Sequence, residues 1–220
     1  PRQAREDQLR QRTKRMKRIA IIDYGLCNLD SVARAVEVCG GIAHVTQNAV
    51  DVEAADGMIL PGVGSFPEAM DALDRLNLIG IIRQAALRNN RPFLGICLGM
   101  QLMVESGTEN RPRKGLGLIP GNVTRLKPSG SDTRIPHIGW NVVHFKNGSP
   151  LFNGVPDGRD FYFVHSYHVI TPNDFILATT PYGDGLISVI GRDAIMGAQF
   201  HPEKSLKYGL KVLSNFLSLC

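Results

Sequence analysis

The alternation of short apolar runs with helix-like segments over the first hundred residues constrains the fold more than any other feature. Strand-like runs cover 19–23, 42–46, 57–60 and 93–96. The segments around them predict helices from Asn28 or Asp30 to Val38 and over 66–76, 78–89 and 97–106. This order is typical of an α/β fold with a mixed, mostly parallel central sheet flanked by helices. The runs 42–46 and 57–60 are nearly all apolar, which favours buried parallel strands.

From Gly115 onward the pattern changes to short β-rich pieces separated by Gly, Pro and Asn. These pieces cover 123–126, 161–164, 168–171, 176–180, 186–190 and 194–199, and 206–219 is typical of a closing amphipathic helix. Their spacing predicts antiparallel additions to the sheet rather than further βαβ units. Because no internal repeat or linker interrupts the chain, we expect one domain over 18–220.

The net charge of +5 is concentrated at the start of the chain. Residues 1–18 have a net charge of +6, so the rest of the chain has a net charge of −1. A basic arm of this kind can bind nucleic acid, but this one has no aromatic residues and runs directly into an apolar strand. We therefore expect 1–17 to be a disordered or extended segment outside the domain, and nucleic-acid binding is disfavoured.

Several classes of protein are disfavoured by composition. The longest runs without a charged residue are 13 residues, whereas a membrane span requires about 20 apolar residues. The four cysteines form no Cys-x-x-Cys pair, and the N-terminus lacks the apolar core of a secretory signal, so a reduced, cytoplasmic protein is expected. The histidines lack the spacing of zinc ligands, so neither a metal nor a cofactor is predicted.

The most informative motif is an apolar strand that runs into Gly95-Ile96-Cys97-Leu98-Gly99. This order is typical of a nucleophile elbow, in which the glycines permit a tight turn between a strand and a helix. The motif predicts that the Cys97 sulfur lies above the carboxyl edge of the sheet, at a helix N-terminus that favours the thiolate. The Leu98 N–H would then be free to bind an oxyanion. A buried structural cysteine is the alternative interpretation.

The segment Gln199-Phe200-His201-Pro202-Glu203 offers the base that such a thiolate requires. Residues i and i+2 of an extended segment point to the same side, so His201 and Glu203 can face Cys97 together. Pro202 favours an extended conformation of His201. The alternative interpretation is that His201 is an ordinary hydrogen-bonded polar residue.

A glycine-rich loop, Pro61-Gly62-Val63-Gly64-Ser65, follows the third predicted strand. Ligands of open α/β sheets bind beyond the carboxyl ends of the strands, so this loop and Cys97 should be neighbours. The glycines allow the peptide at Val63 to rotate and present an N–H to the oxyanion, beside the N–H of Leu98. An ordinary βα turn, including one that holds a phosphate, is the alternative, although the nucleotide-binding glycine patterns are absent.

These motifs, in this order, resemble the class I glutamine amidotransferase family, and the likeness covers about residues 18–220. Narrower motifs resemble one branch of the family, the glutaminase subunits of imidazole glycerol phosphate synthase. They are Ile22-Asp23-Tyr24-Gly25 with Asn28-Leu29, Pro136-His137-Ile138-Gly139-Trp140-Asn141, and Tyr162-Phe163-Val164-His165-Ser166-Tyr167.

The resemblance implies that L-glutamine is hydrolysed through a thioester on Cys97. His201 would protonate the departing ammonia and then activate water, while Glu203 would hold the imidazole. By the same likeness, the residues that hold the glutamine would be Gln101, Ser166 and Tyr167. Those that form the oxyanion pocket would be Gly62, Val63 and Leu98.

The resemblance also implies a partner, since free ammonia in neutral water is mostly protonated and no longer a nucleophile. In the resembling subunits the partner is a TIM-barrel cyclase, which receives the ammonia in a heterodimer of histidine biosynthesis. The positions that match this interface are Asn28, Trp140, Tyr162 and Lys204. Core packing is an equal alternative for Trp140 and Tyr162.

One residue departs from the family pattern, because Cys27 stands where the family has the second glycine of Asp-Tyr-Gly-x-Gly-Asn. If that position requires a positive φ, the cysteine is strained by about 1–3 kcal/mol. The departure leaves open a glutaminase subunit of another synthase, such as one that aminates sugars for surface polysaccharides. A stand-alone cysteine hydrolase and a binding module with a vestigial site are the remaining alternatives.

Overall fold

The computed structural model describes residues 15–127, 134–146 and 148–220, and the predicted N-terminal extension falls largely outside them. The strands are β1 (Arg18–Ile22), β2 (Ile42–Thr46), β3 (Gly57–Leu60), β4 (Phe93–Ile96), β5 (Ser106–Gly107), β6 (Arg113–Lys114), β7 (Asn122–Arg125), β8 (His137–Phe145), β9 (Arg159–His165), β10 (Tyr167–Ile170), β11 (Ile176–Thr180), β12 (Leu186–Arg192) and β13 (Ile195–Ala198). The α-helices are α1 (Leu29–Val38), α2 (Ala49–Ala54), α3 (Phe66–Arg75), α4 (Leu78–Leu87), α5 (Leu98–Leu102) and α6 (Leu206–Leu217). Short 3₁₀ helices cover Pro150–Phe152, Asn173–Phe175 and Pro202–Lys204.

Nine strands form the main sheet in the order β2-β1-β3-β4-β13-β12-β11-β8-β9. The pairings from β2 to β13 are parallel, and those from β13 to β9 are antiparallel. The α/β class and the antiparallel additions are therefore confirmed. The interpretation of 194–199 as such an addition is confirmed only in part, because β13 is antiparallel to β12 but parallel to β4.

Two of the predicted additions lie outside the main sheet. The strands β7 and β10, predicted over 123–126 and 168–171, belong to a second sheet of order β10-β7-β5-β6. The chain passes between the two sheets at Ser166, where β9 ends and β10 begins. This crossing places the segment around Ser166 at the edge of both sheets.

Burial explains why the central parallel strands are apolar throughout. In β1, Ala20 and Ile22 pack into one hydrophobic cluster with residues of α2, α3, α4 and α5. Ile19 and Ile21 pack into a second cluster with residues of α1 and α6. Helices therefore cover both faces of the strand, so its four buried residues after Arg18 must be apolar.

The structure corrects two further expectations and adds two elements. The predicted buried strand β2 lies at the edge of the sheet and exposes Ile42 and Val45, since it has only β1 as a neighbour. The helix after Cys97 ends at Leu102, not at Ser106, because Ser106 and Gly107 pair with β6 and β7. Neither α2 nor β8 was predicted. Within the part of the chain that is described, no helix combines the length and the apolar character needed to cross a bilayer.

Candidate active site

Cys97 occupies a strained turn between β4 and α5. Its φ of 54° and ψ of −110° lie in a region that costs a non-glycine residue about 1–3 kcal/mol. The flanking glycines are required by close packing, because a Cβ at Gly95 would lie 2.6 Å from the Gly99 carbonyl oxygen. A Cβ at Gly99 would overlap the carbonyl oxygen of Leu60. The predicted elbow geometry is therefore present, with backbone packed against backbone on both sides of the cysteine.

The parallel pairing of β4 and β13 brings the histidine segment beside Cys97. Ile96 pairs with Ala198, and the Cys97 N–H donates to the Ala198 carbonyl at 2.8 Å. Three residues later, the His201 N–H donates to the carbonyl of Tyr162 at 2.9 Å, which fixes the backbone of His201 in an extended conformation. Two neighbouring strands thus carry the cysteine and the histidine to the same edge of the sheet.

Glu203 orients the imidazole from a helical turn rather than from an extended segment. It lies in the 3₁₀ helix Pro202–Lys204, and its Oε1 lies 2.7 Å from His201 Nδ1. The prediction that both side chains face Cys97 from one extended segment was therefore wrong. The turn allows the carboxylate, which is 2% exposed, to reach back to the ring of His201.

The charge state of His201 depends on its two neighbours. Burial lowers the pKa of His201, but the Cys97 side chain and the Glu203 carboxylate raise it, and the result is a pKa of about 10. Nε2 is buried and makes no hydrogen bond of normal geometry to any described residue. An imidazolium beside the Cys97 side chain can stabilise a thiolate there and can deliver a proton to a leaving group.

The glycine-rich loop lies beside Leu98, as predicted, but its amide points elsewhere. The Val63 N–H donates to the carbonyl of Leu26 at 2.9 Å, so an oxyanion can receive it only after the peptide rotates. The Tyr24 hydroxyl donates to the carbonyl of Pro61 at 2.9 Å and fills the space that a Cβ at Gly62 would occupy. The oxyanion role of Gly62, Val63 and Leu98 stays a prediction.

A cavity of about 260 Å³ opens at Cys97, a size suited to a small metabolite. Its lining residues are Val63, Gly64, Cys97, Leu98, Gln101, Glu109, Val164, His165, Ser166 and Tyr167. The set includes the three residues that the resemblance assigned to glutamine, and Gln101 Nε2 donates to the Tyr167 carbonyl at 2.8 Å. A larger cavity of about 420 Å³ beside Lys146 and Arg192 contains none of the predicted residues.

Glu109 is a wall residue that the sequence analysis missed. Its Oε2 accepts the N–H of Phe66 at 2.8 Å, and burial raises the pKa of its carboxyl group. It lies between the two short strands β5 and β6, in a segment that carries no motif. The carboxylate gives the cavity an acidic group that can attract a cation.

Three of the four predicted interface residues meet on one surface. Trp140 is 51% exposed and pairs across β8 and β9 with Tyr162, the two rings lying 6.0 Å apart. The Lys204 Nζ lies 6.0 Å from the centre of the Tyr162 ring. Core packing of Trp140 is therefore wrong. The fourth residue, Asn28, is exposed and immediately precedes α1, and the interface role of all four stays a prediction.

The strain considered for Cys27 is not present. Gly25 has a φ of 86°, whereas Cys27 is not among the residues with positive φ. The Cys27 Sγ lies 3.4 Å from the Pro61 carbonyl oxygen and donates to it. The Cys27 thiol and the Tyr24 hydroxyl therefore donate to the same carbonyl oxygen, that of Pro61.

Comparison with known proteins gives results of three kinds. The sequence profile of the family "Glutamine amidotransferase class-I" matches residues 20–219. The chain is 44% identical over 201 residues to the imidazole glycerol phosphate synthase subunit HisH 1 of Campylobacter jejuni, covering 91% of this chain and 100% of that protein. It is 46% identical over 207 residues to the subunit HisH of Methanosarcina barkeri, covering 93% and 100%. The solved structure of PurLQS from Thermotoga maritima shares the fold, with a TM-score of 0.71 at 20% identity over 92% of this chain and 99% of that one.

Proposed function

The chain belongs to the class-I glutamine amidotransferase family, and from this premise we propose that it is the glutaminase subunit of an imidazole glycerol phosphate synthase. The relatives that carry this name match over nine-tenths of the chain. The observation that supports the chemistry is the arrangement of three residues around one cavity. Cys97 stands at a positive-φ turn beside a small cavity, and the adjacent strand leads to the buried His201–Glu203 pair.

In the proposed reaction, the Cys97 thiolate attacks the side-chain carbonyl carbon of glutamine. The carbonyl oxygen becomes an oxyanion, which the N–H groups of Leu98 and Val63 would bind once the Val63 peptide has rotated. When the C–N bond breaks, His201 gives its Nε2 proton to the departing nitrogen, and ammonia leaves a thioester on Cys97.

The second half-reaction releases glutamate. The neutral His201 takes a proton from water, the hydroxide adds to the thioester carbon, and the carbon–sulfur bond breaks to restore the thiolate. Glu203 keeps the imidazole oriented throughout, because its hydrogen bond to Nδ1 leaves Nε2 as the reacting nitrogen.

The cavity wall offers groups for the amino-acid end of glutamine. We assign the half-buried Glu109 carboxylate to the α-ammonium group, since a carboxylate and an ammonium group form charge-assisted hydrogen bonds. Gln101 and the Ser166–Tyr167 backbone would hold the rest of the substrate. Each of these groups lines the same cavity as Cys97.

The ammonia would pass to a TIM-barrel cyclase in a cytoplasmic heterodimer, whose overall reaction forms imidazole glycerol phosphate in histidine biosynthesis. The surface of Trp140, Tyr162 and Lys204 suits this docking, because exposed aromatic residues are common anchors of interfaces. The Val63 N–H is already bonded to the Leu26 carbonyl and cannot yet bind an oxyanion. This favours a subunit that becomes active when its partner binds over a stand-alone hydrolase. We propose that residues 1–17 lie outside this domain.

The test is Cys97→Ala in the complex with the cyclase. Glutamine-dependent synthesis of imidazole glycerol phosphate is expected to be lost, whereas synthesis from added ammonia is expected to remain. Cys39→Ala is the matched control, since Cys39 is a half-buried cysteine at the end of α1. Loss of both activities in Cys97→Ala would contradict the proposal, and rapid glutamine turnover by the single chain would favour a stand-alone hydrolase.

A further inference from the structure

Two buried histidines, His137 and His165, have no part in the proposed chemistry. They are 3% and 7% exposed, and His165 lines the cavity that contains Cys97. Nδ1 of His137 lies 3.0 Å from Nε2 of His165. A hydrogen bond between two imidazoles requires one ring to donate and the other to accept, so the position of each proton is a structural question.

On the side of the cavity, the contact with Tyr167 shows which nitrogen of His165 carries the proton. Its Nδ1 lies 2.9 Å from the carbonyl oxygen of Tyr167, which can only accept, so Nδ1 carries the proton. Burial lowers the pKa of His165 to about 3, so the ring is neutral. Its Nε2 is therefore an acceptor, and the proton between the rings belongs to Nδ1 of His137.

At the other end of the pair, the contact of His137 with Asn141 independently gives the same proton positions. The Val142 N–H donates to Oδ1 of Asn141 at 2.8 Å, which fixes the amide with its nitrogen toward His137. Asn141 Nδ2 lies 3.2 Å from Nε2 of His137 and donates to it. His137 thus accepts at Nε2 and donates at Nδ1. The four residues Asn141, His137, His165 and Tyr167 therefore form a row in which every hydrogen bond has one donor and one acceptor.

The row ends at the crossing between the two sheets. β9 of the main sheet ends at His165, and β10 of the small sheet begins at Tyr167. The His165 side chain stabilises this crossing by donating a hydrogen bond to the Tyr167 carbonyl. The same carbonyl accepts from Gln101 Nε2 at 2.8 Å, and the Ser166 carbonyl accepts from the Leu126 N–H at 2.9 Å.

We infer that His137 and His165 are positioning residues, which hold the Ser166–Tyr167 crossing and Gln101 in place for the amino acid that the cavity binds. Neither is assigned a contact with the reacting atoms, so they act through the groups that line the cavity. The inference rests on the proposed function, since glutamine is the amino acid in question. The expected effect of their loss is weaker glutamine binding with little change in the chemical step.

The experiment compares His165→Leu with His165→Asn in the complex, measured as glutamine hydrolysis. His165→Leu is expected to raise KM for glutamine about tenfold, the effect of losing one buried hydrogen bond, and to change kcat less than about twofold. His165→Asn places an amide N–H near the position of Nδ1 and is expected to recover most of the affinity. His144→Gln is the matched control, because His144 is exposed on β8 and lies outside the row.

A second variant decides the question if His165→Leu does not fold. Asn141→Asp keeps the acceptor for the Val142 N–H but removes the donor to His137, so the row loses its matched order, and KM is expected to rise about threefold or more. Protection of Cys97 by glutamine against alkylation with iodoacetamide measures the same affinity without turnover. Wild-type KM in the variants, or a fall in kcat alone, would overturn the inference. A wild-type complex that does not hydrolyse glutamine would instead overturn the proposed function.

Discussion

The parallel and antiparallel halves of the main sheet contribute to the site in different ways. In the parallel half, around β3, β4 and β13, the site depends on backbone: Cys97 has a positive φ, and Gly99 leaves no room for a Cβ beside Leu60. In the antiparallel half, β8 contributes side chains. It exposes Ile138 and Trp140 on one face and carries His137 and Asn141 on the other.

The two halves should therefore respond differently to substitutions. A change in the parallel half alters how strands and helix pack, so function and fold should fail together. A change in the antiparallel half alters hydrogen bonds or an exposed surface, so function should fail while the fold survives. The His201–Glu203 pair follows β13, at the boundary between the two halves, and should behave like the side-chain group.

The largest effect is expected from Gly99→Ala in the parallel half. The added methyl group would overlap the Leu60 carbonyl, so the strand and the helix must separate, at a cost of about 3 kcal/mol or more in the free energy of unfolding. Urea unfolding measures this cost. Gly80→Ala is the matched control: Gly80 lies in α4 with open space around it, and alanine there should stabilise by about 0.5–1 kcal/mol. Similar unfolding curves for both variants would contradict the claim that the parallel half depends on close backbone packing at Gly99.

Glu203→Gln should reduce activity strongly while the chain still folds. The amide oxygen can still accept from His201 Nδ1, but it lacks the charge that supports the imidazolium, and kcat is expected to fall about 100-fold. Glutamine hydrolysis by the complex measures the fall, with Glu37→Gln on the exposed side of α1 as the control. Activity within twofold of the wild type would show that the carboxylate is not needed.

The same variant should change the dependence of stability on pH. The folded-state pKa of His201 is raised from 6.5 to about 10, so the folded protein binds this proton more tightly than the unfolded chain. The resulting stabilisation is fully present below about pH 6.5 and is lost as the pH rises towards 10. Urea unfolding of the wild type over this range should show the decline, and Glu203→Gln should make it smaller, with the contribution of Cys97 remaining.

The smallest effect on the chain itself is expected from Trp140→Ala. Because the indole is half exposed, the free energy of unfolding should change by less than about 0.5 kcal/mol. The Kd for the cyclase is expected to rise about tenfold, as for a typical aromatic anchor. Isothermal titration calorimetry measures the affinity, with Val50→Ala, an exposed apolar residue at the start of α2, as the control. Equal affinities would remove Trp140 from the proposed interface.

The parallel half was also the easier half to predict. The bounds of β3 and β4 follow from unbroken apolar runs, which arise because helices cover both faces of these strands. Within the antiparallel half, β8 gave no such signal. Over its first five residues the inward face carries His137 and Asn141, whereas Ile138 and Trp140 point outward, so the usual pattern of apolar residues inside is reversed there and returns only at the buried Val143.

The site was predictable to the extent that local motifs encode it. The elbow at Cys97 and the segment at His201 each contain enough nearby residues to indicate their chemistry. The contact of Glu109 with Phe66 and the contact of His137 with His165 join residues distant in the chain, and no local pattern records such contacts. The engaged amide of Val63 belongs to the same class, because its partner, Leu26, lies in a different loop.

The direct pairing of Ile96 with Ala198 has a consequence for how the family can diversify. Neighbouring strands of a sheet lie about 4.8 Å apart, whatever the length of chain that joins them. The spacing of nucleophile and base is therefore set by the pairing of the two strands and not by the length of the chain between them. Insertions in that interval can redesign specificity and docking while the reacting pair keeps the same separation.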